Sequence, residues 1–449
     1  MIFNPSPYPE SIRQSSLALQ TTISANDQIL GLKSLLDFEP WRGDLWERIG
    51  RAYLNYGGYP AAVEAFQKAE RFEGLTNAGR IAQADAYLQN NDHETARRLL
   101  RTFPLNEAGL FEMMQVVALQ RKIGDVYGAE ATLLAAHQLE PENAEVNFQL
   151  GLMLSTTQPD SALQFLIAAE NLDGNDDLLR DALITMIENS AESTALEKYQ
   201  MIGQVFSNFG EWDVAAQAFQ SALANDPGSA LSWIYLAEAK QQLGLDAFIE
   251  VSTALKLDGE NEIINGLSGL YYRRMGKYEL SMYYLKRAAD KNPSTNVWLI
   301  EQSRTQEEMG QLEAAYLLLL RAAQISPEDW ATWKSLAVFS FTNNYEVDTT
   351  GLAAARKALV LYPSSPVLMD LLGAGLMLTG DYDSAERFFL EANEIDPHQS
   401  AILIHLGQLK VLQGKITEAR VILKQAVDYA PDDRLRDLAL QLLNETAGK

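Results

Sequence analysis

The residues of this 449-residue chain best suited to metal or proton chemistry are its four histidines, His93, His137, His398 and His405. A metal centre needs several such ligands converging at fixed spacing. His398 and His405 are seven positions apart, but Pro397 ends a helix just before His398 and leaves it in a turn, while His405 falls inside the next helix. No metal site is expected. There are no cysteines, which excludes a disulfide framework, a thiolate zinc site, an iron–sulfur cluster and a thiol nucleophile. Two segments resemble a phosphate loop: Gly269, Gly276 and Lys277, and Gly407, Gly414 and Lys415. Six residues separate the glycines where four are needed, and Tyr278 and Ile416 stand where Ser or Thr should follow. Carboxylates are abundant, but none form a pair with acid–base spacing. The expectation is a non-enzyme with no catalytic residue, cofactor or metal.

Charge narrows the partner. Lys and Arg total 36 against 60 Asp and Glu, giving a net charge of −24, which argues against a nucleic-acid binder. Residues 1–30 hold three prolines in the first nine positions, one basic residue, Arg13, and no apolar run of the secretory kind. The apolar stretch from Ala314 to Ala323 contains Arg321 and is far too short for a membrane span. A cytoplasmic protein without a membrane segment is expected.

With no reaction chemistry to position, the informative residues are small ones. Pro293, Pro327, Pro363, Pro397 and Pro431 are spaced 34, 36, 34 and 34 apart, and Ala288, Ala322, Ala358, Ala392 and Ala426 keep the same register five residues upstream. Gly276, Gly310, Gly380 and Gly414 follow it too, with Asn343 and Asn344 at the tip of the unit that is two residues longer. Each unit reads as helix, turn, helix. Gly or Asn supplies a left-handed tip. Pro stops the second helix, and Ala lets two helices approach closely. Leu312, Ala315, Tyr316, Leu319 and Ala322 show the helical spacing of a buried face. One such pair cannot bury that face alone, so neighbours must stack.

These residues carry a family resemblance. Trp46, Ile49, Gly50, Tyr53, Ala62, Phe66 and Ala69, and again Leu372, Gly373, Gly380, Tyr382, Ala385, Phe389, Ala392 and Pro397, resemble the tetratricopeptide repeat. The resemblance implies an all-α, right-handed superhelix of about eleven helix-turn-helix repeats with a capping helix at each end. The register places an N-terminal cap and degenerate first unit at 1–42, repeats 1–4 at 43–176, an inserted helix at 177–195, repeats 5–11 at 196–433 and a C-terminal cap at 434–449. The inserted segment is the candidate boundary between two halves. Repeat 6 is two residues short near Gly244 to Ile249, which predicts a tighter turn.

The resemblance also implies a function. Tetratricopeptide repeats line a concave groove with first-helix positions 2, 5, 9 and 12, a single helical stripe. In repeats 6–9 that stripe includes Ile234, Leu270, Ile300, Val338 and Phe341, an apolar track edged by Arg273, Arg304 and Lys334. Such a track suits an extended segment or an amphipathic helix of a partner protein. No adjacent repeats supply the Lys/Asn clamp that holds a C-terminal carboxylate in some family members. A second surface is electrostatic: between Lys122 and Lys240 only Arg180 and Lys198 are basic, against 18 Asp or Glu. That block reads as a solvating face or as a dock for a basic partner. The reading is a scaffold or adaptor for a protein or peptide partner. The alternative is a regulatory solenoid that senses a small peptide by changing its superhelical pitch. Oligomeric state has no signature in the sequence.

Overall fold

The computed structural model describes residues 25–446. Much of the expected N-terminal cap, residues 1–24, and the last three residues of the C-terminal cap lie outside the described residues. Among the described residues there are 25 α-helices and no strand. A first helix, α1 (Ala25–Leu36), buries Leu32 against the next pair. Four pairs follow: α2 (Gly43–Asn55) with α3 (Tyr59–Phe72), α4 (Asn77–Gln89) with α5 (His93–Arg101), α6 (Leu110–Lys122) with α7 (Val126–Leu139), and α8 (Ala144–Ser155) with α9 (Pro159–Asp173). Then comes a lone helix, α10 (Leu178–Asn189), within the segment 177–195. Seven more pairs are α11 (Ala195–Asn208) with α12 (Trp212–Asn225), α13 (Ala230–Gln242) with α14 (Phe248–Asp258), α15 (Glu262–Arg274) with α16 (Tyr278–Lys291), α17 (Val297–Glu308) with α18 (Leu312–Ile325), α19 (Trp330–Thr342) with α20 (Leu352–Leu361), α21 (Pro366–Leu378) with α22 (Tyr382–Ile395), and α23 (Ser400–Leu412) with α24 (Ile416–Asp428). The last helix is α25 (Asp433–Glu445).

The small residues do what their spacing requires. Ala62, Ala96, Ala129, Ala162, Ala215, Ala315, Ala385 and Ala419 are all fully buried where second helices meet first ones. Gly373 faces the Phe389 ring so closely that a Cβ would sit 2.7 Å from it, so the close crossing of α21 and α22 needs glycine. At the tip of the longer repeat Asn344 takes a left-handed backbone, φ 48°, in place of glycine. The extra length there is taken up by a five-residue wide helical turn, Val347–Gly351, that runs into α20. Asn143, Asn261 and Asp329 cap first helices through side-chain acceptors.

The chain forms two compact units, Met1–Glu250 and Val251–Lys449. This division corrects the boundary expected at 177–195. The inserted helix is not a linker: Leu179, Leu183 and Ile187 of α10 are buried in one core that runs from Val117 to Ala239. Arg180, 2 % exposed, anchors it to Asp173 and the Asn175 carbonyl. Repeat 6 is also corrected. Its turn is not tighter but longer, Leu243 to Ala247, and the shortening falls on α14, with 11 residues against 14 in α12. Asp246 accepts from the Phe248 backbone in that turn and so starts the helix late.

Candidate functional site: the first-helix stripe

The stripe differs between the two units. In the N-terminal unit its C-terminal end in repeats 3 and 4 is covered by the chain's own α12, while Phe111, at position 2 of repeat 3, stays 75 % exposed. Leu152, at position 9 of repeat 4, is 1 % exposed, and Ser155, at position 12, is 0 % exposed. The helix that covers them is buried on more than its repeat-partner face. Val214 and Ala218 are fully buried alongside Ala215, Phe219 and Ala222. Ser221 Oγ donates to the Thr156 carbonyl at 2.6 Å, and Tyr199 Oη donates to the Thr157 carbonyl at 2.7 Å.

Arg121, at position 12 of repeat 3, fixes the start of α12. Its Nε and Nη2 donate to Asp213 at 2.8 and 3.0 Å, Nη2 also reaches Glu211 at 2.5 Å, and Nη1 donates to Gln149 at 3.0 Å. Burial pushes the guanidinium pKa down, but Asp213 and then Glu211 outweigh it and hold Arg121 above its usual range. Glu211 and Asp213 lie at the N-terminus of α12, where negative charge also suits the helix dipole.

In the C-terminal unit part of the stripe is open. Ile300, Arg304, Lys334 and Val338 line one hollow of about 420 Å³, with Trp330, Leu319 and Phe339 completing its apolar wall. Val338 is 41 % exposed and Val297, one turn from Ile300, is 48 % exposed. Arg304 projects into solvent and pairs with Glu301 at 2.6 Å. Lys334 lines the hollow without an ion-pair partner among the described residues. Glu307 accepts from Asn343 Nδ2 at 2.6 Å at one end of the hollow.

The other expected contact residues are not brought there. Ile234 is 1 % exposed and cannot touch a partner, so its place on the track is corrected to core. Phe341 packs between Gly351 and Gly375, whose added Cβ atoms would lie 2.9 and 2.2 Å from its ring; it joins neighbouring repeats rather than facing the groove. Leu270 packs beside the cluster of Leu285, Ala288 and Trp298. Arg273 is largely buried and spent on Glu301 at 2.7 Å and Glu308 at 3.6 Å. Sequence reasoning missed Trp330 and Leu319 as wall residues, because it followed first-helix stripe positions only.

The histidines do not converge. His137 lies edge-on to Phe165, His398 contacts the Tyr429 ring, and His405 Nδ1 lies 2.8 Å from Asp370. Burial pushes the His405 pKa down, but the hydrogen bond and charge of Asp370 outweigh it and hold it above its ordinary value. Among the described residues no group of His, Asp or Glu has the arrangement of a metal site. No described helix is long and apolar enough to cross a membrane.

Comparison with known proteins agrees with the repeat. Family models described as tetratricopeptide repeat match residues 47–105, 201–244 and 376–442. The human Protein O-mannosyl-transferase TMTC1 is 24 % identical over 212 residues, 46 % of this chain and 24 % of that protein. Mouse Aspartyl/asparaginyl beta-hydroxylase is 31 % identical over 77 residues, 17 % of this chain and 10 % of that protein. The matches therefore span a quarter or less of these relatives. Among solved structures, yeast Tom70 is 14 % identical, with 98 % of this chain and 94 % of that chain covered and a TM-score of 0.47. The repeated helix pairs and the matched repeat models agree: the chain carries tetratricopeptide repeats, and such repeats are of the kind that serve as protein-interaction scaffolds.

Proposed function

We propose that the chain is a non-enzymatic adaptor that holds a segment of a partner protein in the first-helix groove of repeats 8 and 9. The observation that carries this reading is the hollow shared by Ile300, Arg304, Lys334 and Val338. Its wall is apolar, which favours burying a partner's aliphatic or aromatic side chain. Its rim offers one cation, Lys334, that no carboxylate of the described chain neutralises, which favours a segment carrying Asp or Glu beside its apolar residue. A cytoplasmic setting and a protein rather than nucleic-acid partner belong to the same proposal.

The test is capture of partners by the tagged full chain, compared with Lys334→Glu/Val338→Glu. Both side chains are accessible, so helicity should be unchanged. The reading expects proteins retained by the wild type at high salt to be lost by the double variant. Retention of the same proteins would contradict it.

A further inference from the structure

A second hollow of the C-terminal unit is not on the stripe. It is an open depression of about 730 Å³ between the second helices of repeats 9 and 10, α20 and α22, with α21 as its floor. The floor residues Met369, Leu372 and Leu376 come from a different side of α21 than the stripe positions Val367, Asp370, Ala374 and Met377. Leu359, Val360 and Phe388 form its apolar walls, and Val360 is 71 % exposed. An aliphatic side chain left so open beside a concave apolar floor gains from being covered.

The rim carries the charge that says what covers it. Arg356 stands on α20 and Arg387 on α22. Neither forms an ion pair among the described residues, although the chain holds 60 acidic residues against 36 basic ones. Arg387 instead lies over the Phe388 ring, 5.0 Å from its centroid, which leaves its fork of donors directed at solvent. Lys357, next to Arg356, is already matched by Glu328 at 3.3 Å. Two of the rim carboxylates, Asp381 and Glu391, stay clear of both guanidiniums, and Asp381 is used to cap its own helix through the Ser384 backbone. A guanidinium fork is shaped for a carboxylate.

We propose that this outer hollow is a second docking site, independent of the groove, for a partner segment that places an aliphatic or aromatic side chain over Leu372 and Val360 and carboxylates on Arg356 and Arg387. The outer position means that a groove partner and an outer partner can be held together, which is what an adaptor needs.

The test is selection of peptides from a displayed library of 12-residue sequences on the immobilised full chain. Binding of the enriched peptides is then measured by fluorescence anisotropy. The expected result is enrichment of sequences with Asp or Glu flanking Leu, Ile or Phe, whose affinity falls at least tenfold in Arg356→Glu/Arg387→Glu and in Val360→Asp but not in Lys334→Glu. Arg356→Gln/Arg387→Gln removes the positive charge without reversing it and should lose affinity in the same direction. Three results overturn the proposal: no enrichment, enriched peptides without acidic residues, or full affinity in the arginine variants. Peptides lost only in Lys334→Glu belong to the groove and also count against it. Sedimentation that shows self-association abolished by Val360→Asp would assign the hollow to a second copy of the chain instead.

Discussion

Position 12 of repeat 4 is Ser155, with no exposure at all; position 9 of repeat 9 is Val338, 41 % exposed. Both are stripe positions of the same kind of repeat. What separates them is the company the first helices keep. In the N-terminal unit the lone α10 interrupts the alternation of first and second helices. The second helix α12 then meets the C-terminal ends of the first helices α6 and α8, and its small face of Val214, Ala218 and Ser221 closes over the last stripe positions there. In the C-terminal unit the pairs from α15 onward follow one another without a lone helix until α25, and the stripe of repeats 8 and 9 keeps its hollow. The repeat register alone therefore does not determine which surface is free. Where a later second helix crosses the ends of earlier first helices, stripe positions such as Leu152 and Ser155 become core.

The comparison can be broken first at Arg121. Arg121→Ala leaves Glu211 and Asp213 half-buried and unpaired, and is expected to destabilise the N-terminal unit by about 3 kcal/mol. The matching cation in the open unit is exposed, so Arg304→Ala is expected to change stability by less than about 0.5 kcal/mol. Urea unfolding of both variants, followed by tryptophan fluorescence and far-UV dichroism, checks the contrast.

A second contrast tests packing. Ala218→Phe forces a ring into the closed interface and should cost about 2 kcal/mol, while Val338→Phe adds a ring to an open hollow and should be near neutral. Equal effects at the two sites would mean that the two stripes are equally filled or equally free.

The smallest effect concerns the open unit itself. Asp370 raises the His405 pKa above its unfolded value, so this pair adds stability that is complete below the unfolded histidine pKa and is lost as pH rises through the higher folded value. Thermal melts are expected to fall slightly from about pH 6 to about pH 8, the histidine range. His405→Gln should flatten that slope. A slope of the opposite sign in the wild type would refute the assignment.

The elements were legible because their punctuation is local. Gly276, Gly310, Gly380 and Gly414 all adopt positive φ at helix tips, and Asn344 does so where glycine is missing. The closed stripe was not legible because it joins residues some 65 to 92 positions apart that carry no repeat signature of their own. A trace of it exists. In α12 the run Val214, Ala215, Ala216, Ala218 and Ala222 is apolar on more sides than a helix needs to pack against one partner. Ile234 and Phe341 were misread for a related reason. Stripe position fixes a side chain's direction, but the neighbouring repeat decides whether solvent remains there. Arg273 shows the same on the polar side, since Glu301 and Glu308 are near only once the next repeat has stacked.

The chain has no native cysteine, so a single introduced thiol reports one position without background. The most direct measurement is the rate of maleimide labelling of Ser155→Cys and Val338→Cys in the folded full chain, each referred to its rate in denaturant. The account predicts that the thiol at position 338 reacts at close to an open-chain rate, while the thiol at position 155 is protected at least a hundredfold until the N-terminal unit unfolds. Comparable labelling at the two positions would contradict the claim that one stripe is core and the other is available to a partner.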